Sequence, residues 1–427
     1  MSHSVSLYRK FTGTAGIMLI SRCLTMVSGI IYARYLGPEQ FGLYSFALAI
    51  ITMATLPVIA GLPSLLIREI ANYQLEAKWA LITGIISWSR VYILVLSLII
   101  IICMYLGLYF NLFNTSVSSL LWVAVLLIPL RGLLSQQGAL LNGFKLPIQA
   151  QLPVQIFAPA LTLIILFFYI LSGVDLTGSK LINISILASL VAFFVSAMLL
   201  IRAVKYNIYK CASEFTIRKW HVALVPFTIM GFVATLNVQL VSVLLGWLVN
   251  NESVAYFKVA MQAVALIALG LSSVNAVIMP NVASLYKQGD LKATQKLLTK
   301  SVRLSALVSL PIIFFLFIFG EFAISALFGK NYLPAYPILV ILCFGQLVNV
   351  LMGSVGLVLN MTGNEKSTLK SISITFILNL ILLATLVPLY GAIGGAVAIS
   401  VSMIFLNVLV AVDVWKITKL KTWIRIF

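Results

Sequence analysis

Acidic residues are scarce in this chain. Ten Asp and Glu stand against 28 Lys and Arg in 427 residues, with two histidines, His3 and His221. No paired carboxylates, no G-x-S-x-G stretch and no Walker motif occur, so general acid–base, serine-nucleophile and nucleotide-hydrolysing chemistry lack their residues. The four cysteines, Cys23, Cys103, Cys211 and Cys343, show neither C-x-x-C nor zinc spacing, which argues against a disulfide framework or a metal site. No cofactor is expected. Low-complexity linkers and any stretch polar enough for a soluble domain are also missing.

What fills the chain is apolar. Hydrophobic residues make up 62% and charged residues 9%, with a mean hydropathy of +1.12. This is the composition of an all-α polytopic membrane protein. Apolar runs predict twelve helices at 11–32, 42–67, 81–108, 117–141, 151–171 and 181–203, then at 221–249, 254–279, 301–327, 335–360, 369–390 and 392–415. Each is near or above the roughly 20 residues that a crossing needs. Arg9 and Lys10 precede an apolar run too long for a cleaved signal, which reads as an uncleaved anchor.

The net charge of +18 could suggest nucleic acid, but its distribution does not. With twelve crossings, 21 basic residues fall on the side of the termini and four on the other, Arg34, Lys180, Lys258 and Lys330. Basic residues mark the cytoplasmic side, so both termini are expected there, against anionic headgroups. Six of the seven tryptophans, all but Trp88, lie near a helix end or in the tail, as an aromatic belt would place them.

A weak internal repeat divides the chain. LGPEQFGLYSFALA, from Leu36, is echoed by VNNESVAYFKVA, from Val249, with Glu39 matching Glu252; ALLNGFKLP, from Ala139, is echoed by LVLNMTGNEK, from Leu357. The predicted organisation is a six-helix lobe over 1–204, a basic connector over 205–219, a second six-helix lobe over 220–416 and a basic interfacial tail over 417–427, the lobes related by a parallel repeat. Proline and glycine punctuate the spans at Pro57, Gly61 and Pro63, at Pro147, Pro153 and Pro159, and at GAIGGAVA from Gly391. Such breaks are tolerated where backbone lines a cavity or packs closely on a neighbour.

Three arginines lie inside predicted spans: Arg22, Arg90 and Arg131. Counted from the basic side, all three sit roughly 14–17 Å deep at 1.5 Å per residue. A charge there is costly unless it meets a partner or a wet cavity. Acids near the membrane, Glu69, Glu321 and Asp413, are few and near helix ends. The arginines are therefore candidates for an anion, and the planar guanidinium suits a phosphate. The plainer alternative pairs each with a buried acid or a backbone carbonyl. Arg68 is a weaker candidate because Glu69 adjoins it, and Lys258 could act near the outer end or reach for the interface. The second half offers amides instead: Asn237, Gln239, Gln262, Asn275, Gln346 and Asn349. Amides can meet sugar hydroxyls, and they also bind helices to one another.

ARYLGPEQFGLYSFALAI (33–50), LIREIA (66–71) and GAIGGAVAIS from Gly391 make the chain resemble Wzx-type O-antigen flippases. These form a polysaccharide-transport branch of the multidrug/oligosaccharidyl-lipid/polysaccharide (MOP) exporter superfamily. The resemblance implies a MATE-like pair of six-helix lobes that moves an undecaprenyl-diphosphate-linked oligosaccharide across a bacterial inner membrane by alternating access, with no catalysis. It implies as partners that substrate, membrane lipids and other assembly proteins such as the polymerase. Arg22 matches the pattern of related lipid II flippases, which use arginines on helix one in a cationic cavity. A lipid II flippase and a MATE-like small-molecule antiporter are the alternatives.

Overall fold

The computed structural model describes residues 2–173, 175–208 and 212–423. The side chains of His3, Arg9, Lys10 and Lys205, together with Lys210, Cys211 and Arg425, lie outside the described residues. Regular structure among the described residues is helical throughout: α1 (Ser2–Ile59), α2 (Leu62–Leu75), α3 (Trp79–Tyr109), α4 (Thr115–Ala124), α5 (Leu127–Gly143), α6 (Pro147–Leu152), a π turn (Pro153–Phe157) and α7 (Ala158–Leu171). There follow α8 (Gly178–Ile208), α9 (Ile217–Leu248), α10 (Asn251–Lys287), α11 (Leu291–Leu327), a 3₁₀ turn (Lys330–Tyr332), α12 (Ala335–Met352), α13 (Val355–Met361) and α14 (Glu365–Thr418).

Eight of these helical stretches are long and apolar enough to cross a membrane, and two bent pairs, Thr115–Ala124 with Leu127–Gly143 and Ile217–Val233 with Thr235–Leu248, make ten if each pair is one span. The protein is an all-α, multi-pass membrane protein. Two helices are far longer than one crossing. At 58 residues α1 would run about 87 Å if straight, against a hydrocarbon core of about 30 Å. It breaks at Gly37 (φ 71°), and α14, of 54 residues, breaks at Gly391 (φ 55°). Both glycines adopt the left-handed backbone that a side chain would strain.

Helices also outrun their apolar runs. α10 and α11 each have 37 residues and carry Lys287, Lys292 and Lys296 on helical extensions, where the hydropathy pattern marks only the membrane portion. Each has a side-chain cap: Asn250 Oδ1 accepts from Ser253 N at 2.8 Å, and Asp290 Oδ1 from Ala293 N at 2.8 Å.

Two compact units divide the chain, residues 1–36 with 43–240 and residues 37–42 with 241–427. The division falls within α9. In the first unit α5 packs against α2, α3 and α8, burying Leu65, Leu66, Ile70, Ile85, Ile93 and Leu140. The break between α1 and α2 sits in this core. Gly61 (φ 77°) turns the chain, and the carbonyls nearby are met by side chains: Thr228 Oγ1 donates to Ala60 O at 3.0 Å and Tyr92 Oη to Pro57 O at 3.4 Å. A β-carbon on Gly61 would collide with the Phe227–Thr228 backbone, so glycine is required there twice over. The break predicted from Pro57, Gly61 and Pro63 thus marks a close packing of backbones.

In the second unit α10, α11 and α12 pack together and α14 closes on α12 and α13. Val282, Leu298, Val358, Val410 and Val414 form one cluster that also takes in Leu420 of the tail. Gln295 holds that tail by its backbone, donating to Lys421 O at 2.7 Å and accepting from Lys421 N at 2.8 Å. At the other end of the unit, Phe41, Tyr256 and Phe328 surround buried Tyr332 with ring centroids 6.3–6.4 Å away.

Candidate functional site

Of the three intramembrane arginines, Arg131 is the one the fold encloses. It lies half-buried on α5, and its Nη1 donates to Oγ1 of Thr52 at 2.9 Å. The Thr52 hydroxyl in turn donates to Leu48 O at 2.7 Å, so a single hydrogen-bonded chain runs from α5 into α1. Gly132 beside it has no room for a β-carbon against Val58 and Ile93, which brings α5 close enough for the bond. Near this layer Tyr44 is buried, its hydroxyl 3.4 Å from Ser185 Oγ and its ring edge-on to Tyr32 at 5.8 Å. Thr52 accounts for one of the five guanidinium donors.

Arg22 and Arg90 are exposed on the surface of the first unit. Arg22 shares its helix face with Met18, Leu19 and Thr25, and Arg90 lies on a stripe with Val91, Leu94 and Leu98. Neither has a hydrogen-bond or ion-pair partner among the described residues. No hydrogen bond or ion pair among the described residues links either of them to Arg131.

Arg68 belongs to a different arrangement. Its Nε and Nη2 both donate to Oε1 of Glu69, at 3.1 and 2.8 Å, and its guanidinium lies 5.2 Å from the Phe227 ring centre. Glu69 is only 4% exposed, and its Oε2 faces Lys219 at 3.8 Å. Lys219 also caps the Tyr73 ring at 5.7 Å, while Trp220 donates from Nε1 to Tyr73 Oη at 3.0 Å. Trp220, expected in the interfacial belt, is fully buried against Trp88 at 5.3 Å. His221 meets the same ring edge-on at 5.2 Å. The start of α9 is thus bolted to α2 and α3. Close by and outside the membrane, Glu76 and Lys78 pair at 2.6 Å, and the hydrogen bond from Lys78 holds the Glu76 carboxyl below its usual range.

In the second unit Lys258 is half-buried on α10 and has no hydrogen-bond or ion-pair partner among the described residues. Gln262, one helical turn away, has a buried Oε1 that is also unpartnered. An ammonium and an amide, both unspent, therefore share one face of α10. Other amides are spent: Asn349 Nδ2 donates to Gln346 Oε1 at 3.1 Å within α12, and Asn275 on α10 accepts from Ser354 at the start of α13. Asn237 is partnered, whereas Gln239 Oε1 is buried and unpartnered. Sequence reading missed Thr52 and the Trp88–Trp220 contact. Each lies far along the chain from its partner, and no local pattern announces it.

Among the described residues no group of three or more His, Cys, Asp or Glu could hold a metal ion. Among the described residues, Arg22, Arg90, Arg131 and Lys258 meet no carboxylate.

A family described as polysaccharide biosynthesis protein matches residues 31–337. An uncharacterised membrane protein of Methanocaldococcus jannaschii, MJ1068, is 31% identical over 148 residues, 34% of this chain and 29% of its own length. The capsular polysaccharide biosynthesis protein CapF of Staphylococcus aureus is 26% identical over 178 residues, 42% of this chain and 45% of its own. The alignments thus span less than half the length of these relatives. A structure of the lipid II flippase MurJ, inward closed, superposes with a TM-score of 0.74 at 18% identity, covering 94% of this chain and 87% of that one. An inward-facing multidrug resistance MATE family transporter of the MOP superfamily gives 0.74 at 14% identity, covering 93% and 96%. At these identities the likeness is one of fold. With the family match spanning most of its length, the chain belongs to the polysaccharide biosynthesis protein family.

Proposed function

We propose that the protein is a flippase that carries a lipid-linked oligosaccharide, an undecaprenyl-diphosphate-linked O-antigen repeat unit, from the cytoplasmic to the outer leaflet of a bacterial inner membrane. The observation that carries this reading is that Arg22, Arg90, Arg131 and Lys258 meet no acid among the described residues. A buried charge in lipid is retained when a ligand or a wet path needs it. A diphosphate supplies the missing anion, and arginine binds it through parallel charge-assisted hydrogen bonds. Family membership and the MurJ-like fold support the same substrate class.

Counting α1 and α14 as two crossings each, at the Gly37 and Gly391 breaks, turns ten spans into the twelve expected from hydropathy. Both termini then lie on the basic, cytoplasmic side. The lobes proposed over 1–204 and 220–416 alternate access, and the lipid tail stays in the bilayer while the headgroup crosses. Arg22, Arg90 and Arg131 are the first unit's contacts for the diphosphate, met in succession and not as one cluster; Lys258 with Gln262 is the second unit's contact, nearer the outer end, and Arg68 guards the cytoplasmic end. With a negative interior, outward movement of an anion gains about 2.3 kcal/mol per charge per 100 mV. No bond is made or broken.

Proteoliposomes carrying a fluorescent undecaprenyl-diphosphate saccharide test this directly. Protein-dependent transfer between leaflets, read with a membrane-impermeant quencher, is the expected result. Transfer no faster than in protein-free vesicles, in vesicles that do move a cationic drug, would favour the small-molecule antiporter instead.

A further inference from the structure

A groove of about 750 Å³ runs between α10 and α11 in the second unit, lined on α10 by Leu266, Gly270, Val274 and Ile278. The α11 wall is Leu304, Val308 and Ile312, and Lys300 with Ser301 stands at one end. The α10 wall spans 12 residues from Leu266 to Ile278, about 18 Å of helix, and the apolar α11 wall below Lys300 spans 8 from Leu304 to Ile312, about 12 Å. One leaflet of the hydrocarbon core is about 15 Å deep, so the groove matches a single leaflet. Ser309 Oγ ties the helices near the deep end by donating to Ile267 O at 3.1 Å.

Lys300 stands where the polar extension of α11 gives way to its apolar run. Four bases, Lys292, Lys296, Lys300 and Arg303, occur on α11 before its first acid, Glu321. Lys292, Lys296 and Lys300 have no ion-pair partner among the described residues. At that height the only abundant counter-charge is a lipid phosphate.

We propose that this groove binds one anionic phospholipid from the cytoplasmic leaflet, its phosphate on Lys300 and one acyl chain along the α10–α11 walls. The depth argues for a phospholipid rather than the polyprenyl tail, since a chain long enough to span both leaflets would overrun a one-leaflet groove. The site stands apart from the transported substrate and does not depend on its identity.

The test is native mass spectrometry of the detergent-purified protein after delipidation, with phosphatidylglycerol and phosphatidylcholine added back. Wild type should retain one phosphatidylglycerol per chain in preference to phosphatidylcholine. Lys300→Gln should lower that preference about fivefold, the equivalent of roughly 1 kcal/mol per basic residue at an anionic surface. Leu304→Trp, at a groove position 52% exposed, should abolish retention of either lipid by filling the groove, with Val308→Trp as the second filling variant. Lys292→Gln, outside the groove, should behave as wild type. Unchanged retention in Lys300→Gln and in a folded groove-filling variant would overturn the proposal. Displacement of phosphatidylglycerol by equimolar undecaprenyl phosphate would also overturn it, by giving the groove to the polyprenyl chain.

Discussion

Arg131 Nη1 donates to Thr52 Oγ1 across 79 residues of sequence, at 2.9 Å. This one bond both steadies α5 against α1 and sets the direction in which the remaining donors of the guanidinium point. Thr52→Val keeps the shape and removes the acceptor. It should cost about 1.5–3 kcal/mol of stability, the range for a hydrogen bond to a charged group, and reduce transport without abolishing it. Arg131→Ala should abolish transport. Thermal unfolding in detergent and complementation of a flippase-null strain read the two effects separately.

Lys258 makes the opposite prediction for stability. An ammonium with no partner is a burden on the fold, so Lys258→Met should raise thermal stability by about 1 kcal/mol or more while transport falls. A fall in both would mean that Lys258 acts mainly through the packing of α10. Gln262→Leu should show the same pattern in weaker form.

Arg68 is decided by its bond to Glu69. If the pair is structural, Arg68→Ala and Glu69→Gln each destabilise by about 1–2 kcal/mol, since Arg68 and Lys219 are largely exposed and screened. The double variant should then be no worse than the worse single one. If Arg68 also touches substrate, as proposed for the cytoplasmic end, Arg68→Ala should lose transport beyond Glu69→Gln at equal stability. A double-mutant cycle with both readouts separates these outcomes.

Trp220→Ala removes a fully buried side chain together with its 3.0 Å bond to Tyr73, and should cost about 3–5 kcal/mol. Trp220→Phe keeps most of the packing against Trp88 and should cost clearly less. Both are measured by thermal melts monitored at the level of the folded, monodisperse species.

Much of this architecture is written locally. Hydropathy finds the membrane-spanning segments, because each must satisfy its backbone internally and present an apolar surface. Gly37, Gly61 and Gly391 mark their own breaks, each at a positive φ. The full lengths of α10 and α11 escape such a reading, because a capped helix continues into water after its apolar run has ended. The site was legible only as a set of residue types. That Arg22, Arg90 and Arg131 are buried in sequence says they need a reason. That Arg131 meets Thr52, and that Trp220 leaves the expected belt for Trp88, depends on helices brought together from distant parts of the chain.

The claim on which the rest depends is that an anion is recognised inside the membrane by arginine, and Arg22 is where it is tested with least interference from packing. The measurement is complementation of a flippase-null strain by Arg22→Ala, Arg22→Gln and Arg22→Lys at matched expression, with surface polysaccharide as the readout. Loss with Ala and Gln and partial rescue with Lys is the expected result. Full surface polysaccharide with Arg22→Gln would contradict it, since a neutral amide cannot carry the charge that the diphosphate requires.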